Sequence, residues 1–154
     1  AAYKYHNGLH FGVGVDPALS LADAEDLAFT VRAYGRASYA FTHVVELRAD
    51  LALGSFATRG WDEYYESVAK TLFGAAARLD LQINWGSIYT LGVGIDLGFV
   101  AAGNEPLVAG AHVSVLGFRF GSTREFLLNA QQGLLSVSGE AVFEQTLGLS
   151  YMFL

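Results

Sequence analysis

The C-terminal segment of this chain alternates with a strict two-residue period. Ala141, Phe143, Gln145, Leu147, Leu149, Tyr151 and Phe153 fall on one face, and Glu140, Glu144, Thr146, Gly148 and Ser150 on the other. Side chains of an extended strand point alternately to opposite sides, so the segment has one apolar and one polar wall. Residues 87–100 repeat the pattern, with Tyr89, Leu91, Val93, Ile95, Leu97 and Phe99 against Thr90, Gly92, Gly94, Asp96 and Gly98. Alternation alone fits a half-buried soluble strand as well as a membrane strand. The polar faces separate the two readings. Water-facing positions of soluble strands are rich in Lys and Glu, whereas here they are mostly Gly, Thr and Ser with a few charges of both signs, which suits a narrow lumen.

Composition points the same way. Hydrophobic residues make up 53% of the chain and charged residues 16%, against roughly 25% charged in soluble domains. No apolar run reaches the roughly 18 residues of a membrane helix, so the hydrophobic surplus must be spread over strands. The absence of cysteine excludes disulfides, Cys-based metal sites and a lipid-modified N-terminal Cys. Ala1 and Ala2 carry no leader-like charged or apolar region, so an exported form has already lost its signal peptide.

The pattern predicts an all-β protein: a single eight-stranded, antiparallel, up-and-down transmembrane β-barrel over residues 1–154. Strands are expected near 3–15, 27–39, 43–54, 67–83, 87–100, 107–120, 122–132 and 140–154, with a phase slip near Gly117 that reads as a bulge. Short links are expected at 40–42, 84–86 and around Gly121, and longer polar ones at 16–26, 55–66, 101–106 and 131–139. With the short links on one side, Tyr3, Tyr5, Tyr39, Phe41, Trp85, Tyr89, Phe118, Phe120, Tyr151 and Phe153 gather at one rim as an aromatic girdle. Phe56, Trp61, Tyr64 and Tyr65 are expected to supply part of the opposite belt. In a soluble β protein the same rings would be core residues, but a core does not require aromatics at every short turn.

Turning the apolar faces outward sends Lys4, Arg32, Arg36, Glu46, Arg48, Asp50, Arg78, Asp80, Asp96 and Glu144 into the lumen. An eight-stranded barrel is about wide enough for its own side chains, so these groups should interlock as an ionic network. Such a network forms either a closed plug or, if its pairs rearrange, a narrow channel. The links carry Asp16, Asp23, Glu25, Asp26, Asp62, Glu63, Glu66 and Glu105 against Arg59, which makes the net charge of −6 mainly an exterior property. These acids either share divalent cations with anionic lipid or act as solvated tips. No calcium-loop spacing, cofactor motif or nucleic-acid patch is present.

The segment Leu147-Gly148-Leu149-Ser150-Tyr151-Met152-Phe153 resembles the C-terminal signal of bacterial outer-membrane β-barrels, with Leu154 one residue beyond it. Together with strand pattern and girdle, it makes the chain similar to the small OmpA and OmpX type barrels. That resemblance implies an outer-membrane location, contact with outer-membrane lipid and lipopolysaccharide, insertion by the barrel assembly machinery, no nucleic-acid partner and a monomer. It also implies a non-enzymatic structural or surface-contact role. A second resemblance gives an alternative. His112-Val113-Ser114 and the downstream Glu125 resemble the His-x-Ser and acid of outer-membrane lipid A deacylases, although Val115 stands where that family has Asn. Val113 and Val115 continue an apolar face, so His112 and Ser114 are expected inside the lumen as satisfied polar groups. His6 and His10 share a face about 13 Å apart on an extended strand, a spacing that makes no metal site, and His43 belongs to no ligand pattern.

Overall fold

The computed structural model describes residues 6–23, 26–61, 64, 67–85, 89–101 and 105–154. Eight strands follow in chain order: β1 (Gly8–Asp23), β2 (Asp26–Ala40), β3 (Val45–Trp61), β4 (Ser67–Trp85), β5 (Tyr89–Val100), β6 (Leu107–Phe120), β7 (Phe126–Val137) and β8 (Glu140–Met152). Each pairs antiparallel with the next, and β1 returns to pair with β8, closing the barrel. The seam runs from Gly12 opposite Met152 to Leu21 opposite Phe143. Beyond it, the Phe11 N–H donates to the Leu154 carbonyl at 2.8 Å. Closure pairs the first strand with the last, so the ring has no open edge strand, the condition a sheet must meet in hydrocarbon.

Face assignment follows parity. Apart from Ala57, which is also buried, even-numbered residues of β1 to β5 and of β8 point inward, as at Arg32, Tyr34, Arg36 and Ser38, which are all buried between more exposed neighbours. In β6 the phase changes. Val115 and Leu116 are both exposed, after which Gly117 and Arg119 are buried, and the β6–β7 register shifts between Ser114 and Leu116. The bulge expected near Gly117 is therefore present, and it turns Arg119 into the lumen.

The link at 101–106 lies where expected, but three of the expected long links do not hold. β1 continues through residues 16–23, β3 to Trp61 and β7 to Val137, so most of the expected long links at 16–26, 55–66 and 131–139 are strand. β7 also begins at Phe126 instead of residue 122. For β3 and β7 the cause is visible at the far end of the lumen, where the inward residues turn apolar. Phe56, Ala57, Ala76, Val100, Val108, Leu135, Val137 and Val142 pack there as a small hydrophobic core. With both walls apolar the two-residue contrast fades, and pairs such as Leu134-Leu135 stop looking like strand. The β7–β8 connection is a tight turn in which Ser138 (φ 53°) and Gly139 (φ 81°) are both left-handed, the backbone that a two-residue hairpin favours.

Candidate functional site

The lumen holds three stacked ionic groups. At the end near the chain termini, Glu46 receives Arg48 Nε at 2.7 Å and Arg119 Nη2 at 2.8 Å. In the middle, Arg36 grips Asp50 with two parallel bonds of 2.8 and 2.9 Å. Arg78 reaches three strands at once: Asp16 at 2.6 Å, Asp50 at 3.2 Å and Asp96 at 3.9 Å. The His112 ring lies between Asp96, 2.7 Å from Nδ1, and Asp80, which its Nε2 meets. Nearer the apolar end, Arg32 clasps both oxygens of Glu144 and lies 4.4 Å over the Phe56 ring. Paired charges held by hydrogen bonds are the form in which ions can remain away from water.

Small residues make the room. A Cβ on Gly14 would run into the Tyr34 ring, and one on Gly94 would strike both the Asp80 carboxylate and the His112 ring. Tyr34 in turn backs the two central guanidiniums, 4.9 Å from Arg36 and 5.4 Å from Arg78, a cation–π arrangement that needs little water. The void left between Arg32, Arg78, Asp96, His112 and Glu144 measures about 10 Å³, the space of roughly one water.

Of the lumen charges expected from sequence, Arg32, Arg36, Glu46, Arg48, Asp50, Arg78, Asp80 and Glu144 are buried and Asp96 is nearly so, all facing inward. Lys4 lies outside the described residues. Two members were missed. Asp16, expected in an acidic link, is a buried partner of Arg78, and Arg119 escaped because the bulge reverses parity. For Asp16 the even-number parity of β1 was the available signal, and Pro17 obscured it. For Arg119 the signal was its place between Phe118 and Phe120.

The outward rings form a rim around the end nearest the termini. Tyr39 and Phe41 contact each other, Trp85 meets Tyr89, and Tyr89 meets Phe118. Phe120 stacks on Phe126, which meets Tyr151; Phe153 is exposed beside them. Phe126 is an addition to the expected set, while Tyr3 and Tyr5 lie outside the described residues. The opposite belt differs from expectation. Phe56 is a lumen residue, Tyr64 is an exposed turn residue, and the outward rings toward that end are Phe29, Phe73, Phe99 and Phe143. Tyr65 and the side chain of Trp61 are outside the description.

His112, Ser114 and Glu125 are not joined in a relay. His112 is held by two aspartates, Ser114 receives Asn129 and Gln131, and Glu125 sits in the β6–β7 turn bound to the Thr123 N–H and hydroxyl. Its own backbone N–H and then Thr123 hold the Glu125 carboxyl below the ordinary range. The histidine spacing also needs correction. The chain turns at Gly8 (φ 112°), so the His6 and His10 rings lie 4.6 Å apart instead of about 13 Å.

No protein-family model and no curated protein sequence matches the chain. Solved structures do. A de novo designed transmembrane β-barrel is 14% identical with a TM-score of 0.60, over 97% of this chain and 99% of that one. Neisserial surface protein A is 12% identical with a TM-score of 0.55, covering 96% of this chain and 97% of its own. The outer membrane protein AlkL, solved in lipid bilayers, is 14% identical with a TM-score of 0.52, covering 99% and 94%. At these identities the likeness is one of architecture, and it spans the whole chain. The protein has the fold of the small eight-stranded outer-membrane β-barrels.

Proposed function

We propose that this chain is a non-enzymatic barrel of the bacterial outer membrane whose lumen is closed, and that it serves the envelope structurally or through surface contact. The observation that carries the reading is the filling of the lumen from end to end, by the ionic groups and then by the apolar cluster around Phe56 and Leu135. A solute path would have to break Arg78 from three carboxylates at once. The outward wall supports the location. Leu51, Phe73, Ile95, Leu97 and Leu134 are each 59–67% exposed, and covering such a side chain is worth about 1.5–3 kcal/mol, which lipid supplies and water does not. The lipid and lipopolysaccharide of that membrane, and the assembly machinery that reads its C-terminal strands, are the partners this reading names.

Purified protein in planar bilayers tests the closed lumen. We expect conductance at baseline and no acyl release from lipid A by the same preparation. Large steady single-channel currents would overturn the closed lumen, and lipid A hydrolysis lost in Ser114→Ala would overturn the non-enzymatic reading.

The terminal strand gives a second expectation. Tyr151 closes the ring rim against Phe126, and the Phe153 N–H donates to the Phe11 carbonyl at 3.0 Å. The double variant Tyr151→Ala with Phe153→Ala should lower the amount of folded barrel in outer-membrane fractions while secretion across the inner membrane continues. Unchanged folded protein, read as heat-modifiable mobility on gels, would remove the assembly role of these rings.

A further inference from the structure

Among the described residues the outward wall is mostly apolar, and halfway along β7 and β8 it carries a pair of amides. Gln132 and Gln145 are register partners there, and both point outward. Gln132 is flanked across β6 by Val113 and Gln145 across β1 by Leu19, so the two amides stand side by side in an apolar row. Neither makes a side-chain hydrogen bond to any described residue. At this height a single barrel surrounded by hydrocarbon offers the amides no partner beyond each other, and an unpaired polar group in hydrocarbon is costly.

The relief around the pair is also specific. The glutamines form a ridge between two shallow apolar grooves: one passes Ala111 and Gly133, and the other passes Pro17 and Ala130. Small residues floor both grooves, so a facing surface can approach closely. An amide is its own complement, since it carries two donors and an acceptor. A two-fold axis through the ridge would set each Gln pair against its counterpart and lay the flanks of one barrel over the grooves of the other, the self-matching geometry of a symmetric dimer. A lipid acyl chain gives the amides no hydrogen-bond partner.

We propose that the β7–β8 wall is the interface of a homodimer within the membrane, held by amide hydrogen bonds between Gln132 and Gln145 of two copies. This rests on the reading that the barrel spans a membrane, and it replaces the monomer expected from sequence, where Gln132 stood at the end of a strand beside a link.

The test uses the full chain reconstituted at several protein-to-lipid ratios in phosphatidylcholine vesicles. Heat-modifiable gel mobility first confirms a membrane-inserted barrel, so that failure of the membrane reading shows separately. Because the chain has no cysteine, Ala130→Cys reports proximity at the wall, and Leu51→Cys on the opposite side of the barrel serves as control. Dimer crosslinks are expected at position 130 and not at 51. In the Gln132→Leu, Gln145→Leu background, which keeps an apolar wall and so a folded barrel, the dimer dissociation constant read from crosslinking should rise at least tenfold. Equal crosslinking at 130 and 51, no crosslinking at 130, or an unchanged constant in the double-Leu background would overturn the proposal. In cells, capture of a different protein at position 130 in place of a second copy would overturn it as well.

Discussion

Arg78→Ala is expected to lower the unfolding free energy of the barrel by about 3–5 kcal/mol, because it strands carboxylates of β1, β3 and β5 in the lumen without their common cation. Asp16 loses its guanidinium altogether, and Asp50 is left with Arg36 alone. The upper end of the range presumes a dry site, and the void of about 10 Å³ beside Arg78 admits little water to replace the lost charge. Arg78→Lys should recover only part of the loss, since an ammonium cannot present the planar fork that reaches several acids. Urea unfolding in detergent or vesicles, followed by tryptophan emission and gel mobility, checks both variants. A loss under 1 kcal/mol for Arg78→Ala would mean that the lumen is hydrated and that the closed reading fails.

The second large effect is expected on the outside. Ile95 is 61% exposed near the middle of β5, where an arginine would face the hydrocarbon interior. Ile95→Arg should cost about 2–4 kcal/mol in a bilayer, and Glu140→Arg, at the strand terminus, close to nothing. The contrast is the informative quantity. In a barrel that is soluble in water, Ile95→Arg would be harmless and would improve solubility, so equal stability of the two variants in vesicles would remove the membrane.

Much of the fold is legible in the sequence wherever lipid-facing and lumen-facing residues differ in polarity. That holds for the half of each strand nearest the chain termini, and it is why Glu46, Arg48 and Asp50, or Arg78 and Asp80, can be placed on one wall without coordinates. It fails where the lumen itself turns apolar. Phe56, Leu135 and Val137 are inward residues that read like outward ones, so those strand tops were lost to supposed links. It fails again where a backbone irregularity changes parity, as at Val115 and Leu116 before Arg119. The pairing of charges is a third level, invisible in one dimension. Arg32 and Glu144 lie 112 positions apart and meet only because β2 and β8 flank β1 in a closed ring. The His112 and Ser114 spacing was legible as a motif, but the aspartates and amides that occupy these groups come from other strands.

The turn at Ser138 and Gly139 bears on the order in which the ring assembles. Two residues suffice to reverse the chain there, so β7 and β8 pay almost no loop-closure entropy to pair and can zip on the microsecond scale of an isolated hairpin. The seam is the opposite case, for Gly12 must find Met152 across nearly the whole polypeptide, and such distant pairings are the slow ones. Until that happens, the sheet has two bare edges, β1 and β8, which water can solvate and hydrocarbon cannot. Full entry into the membrane core and joining of first strand to last therefore become one event, and a cell that inserts this protein must shelter those two edges until they meet.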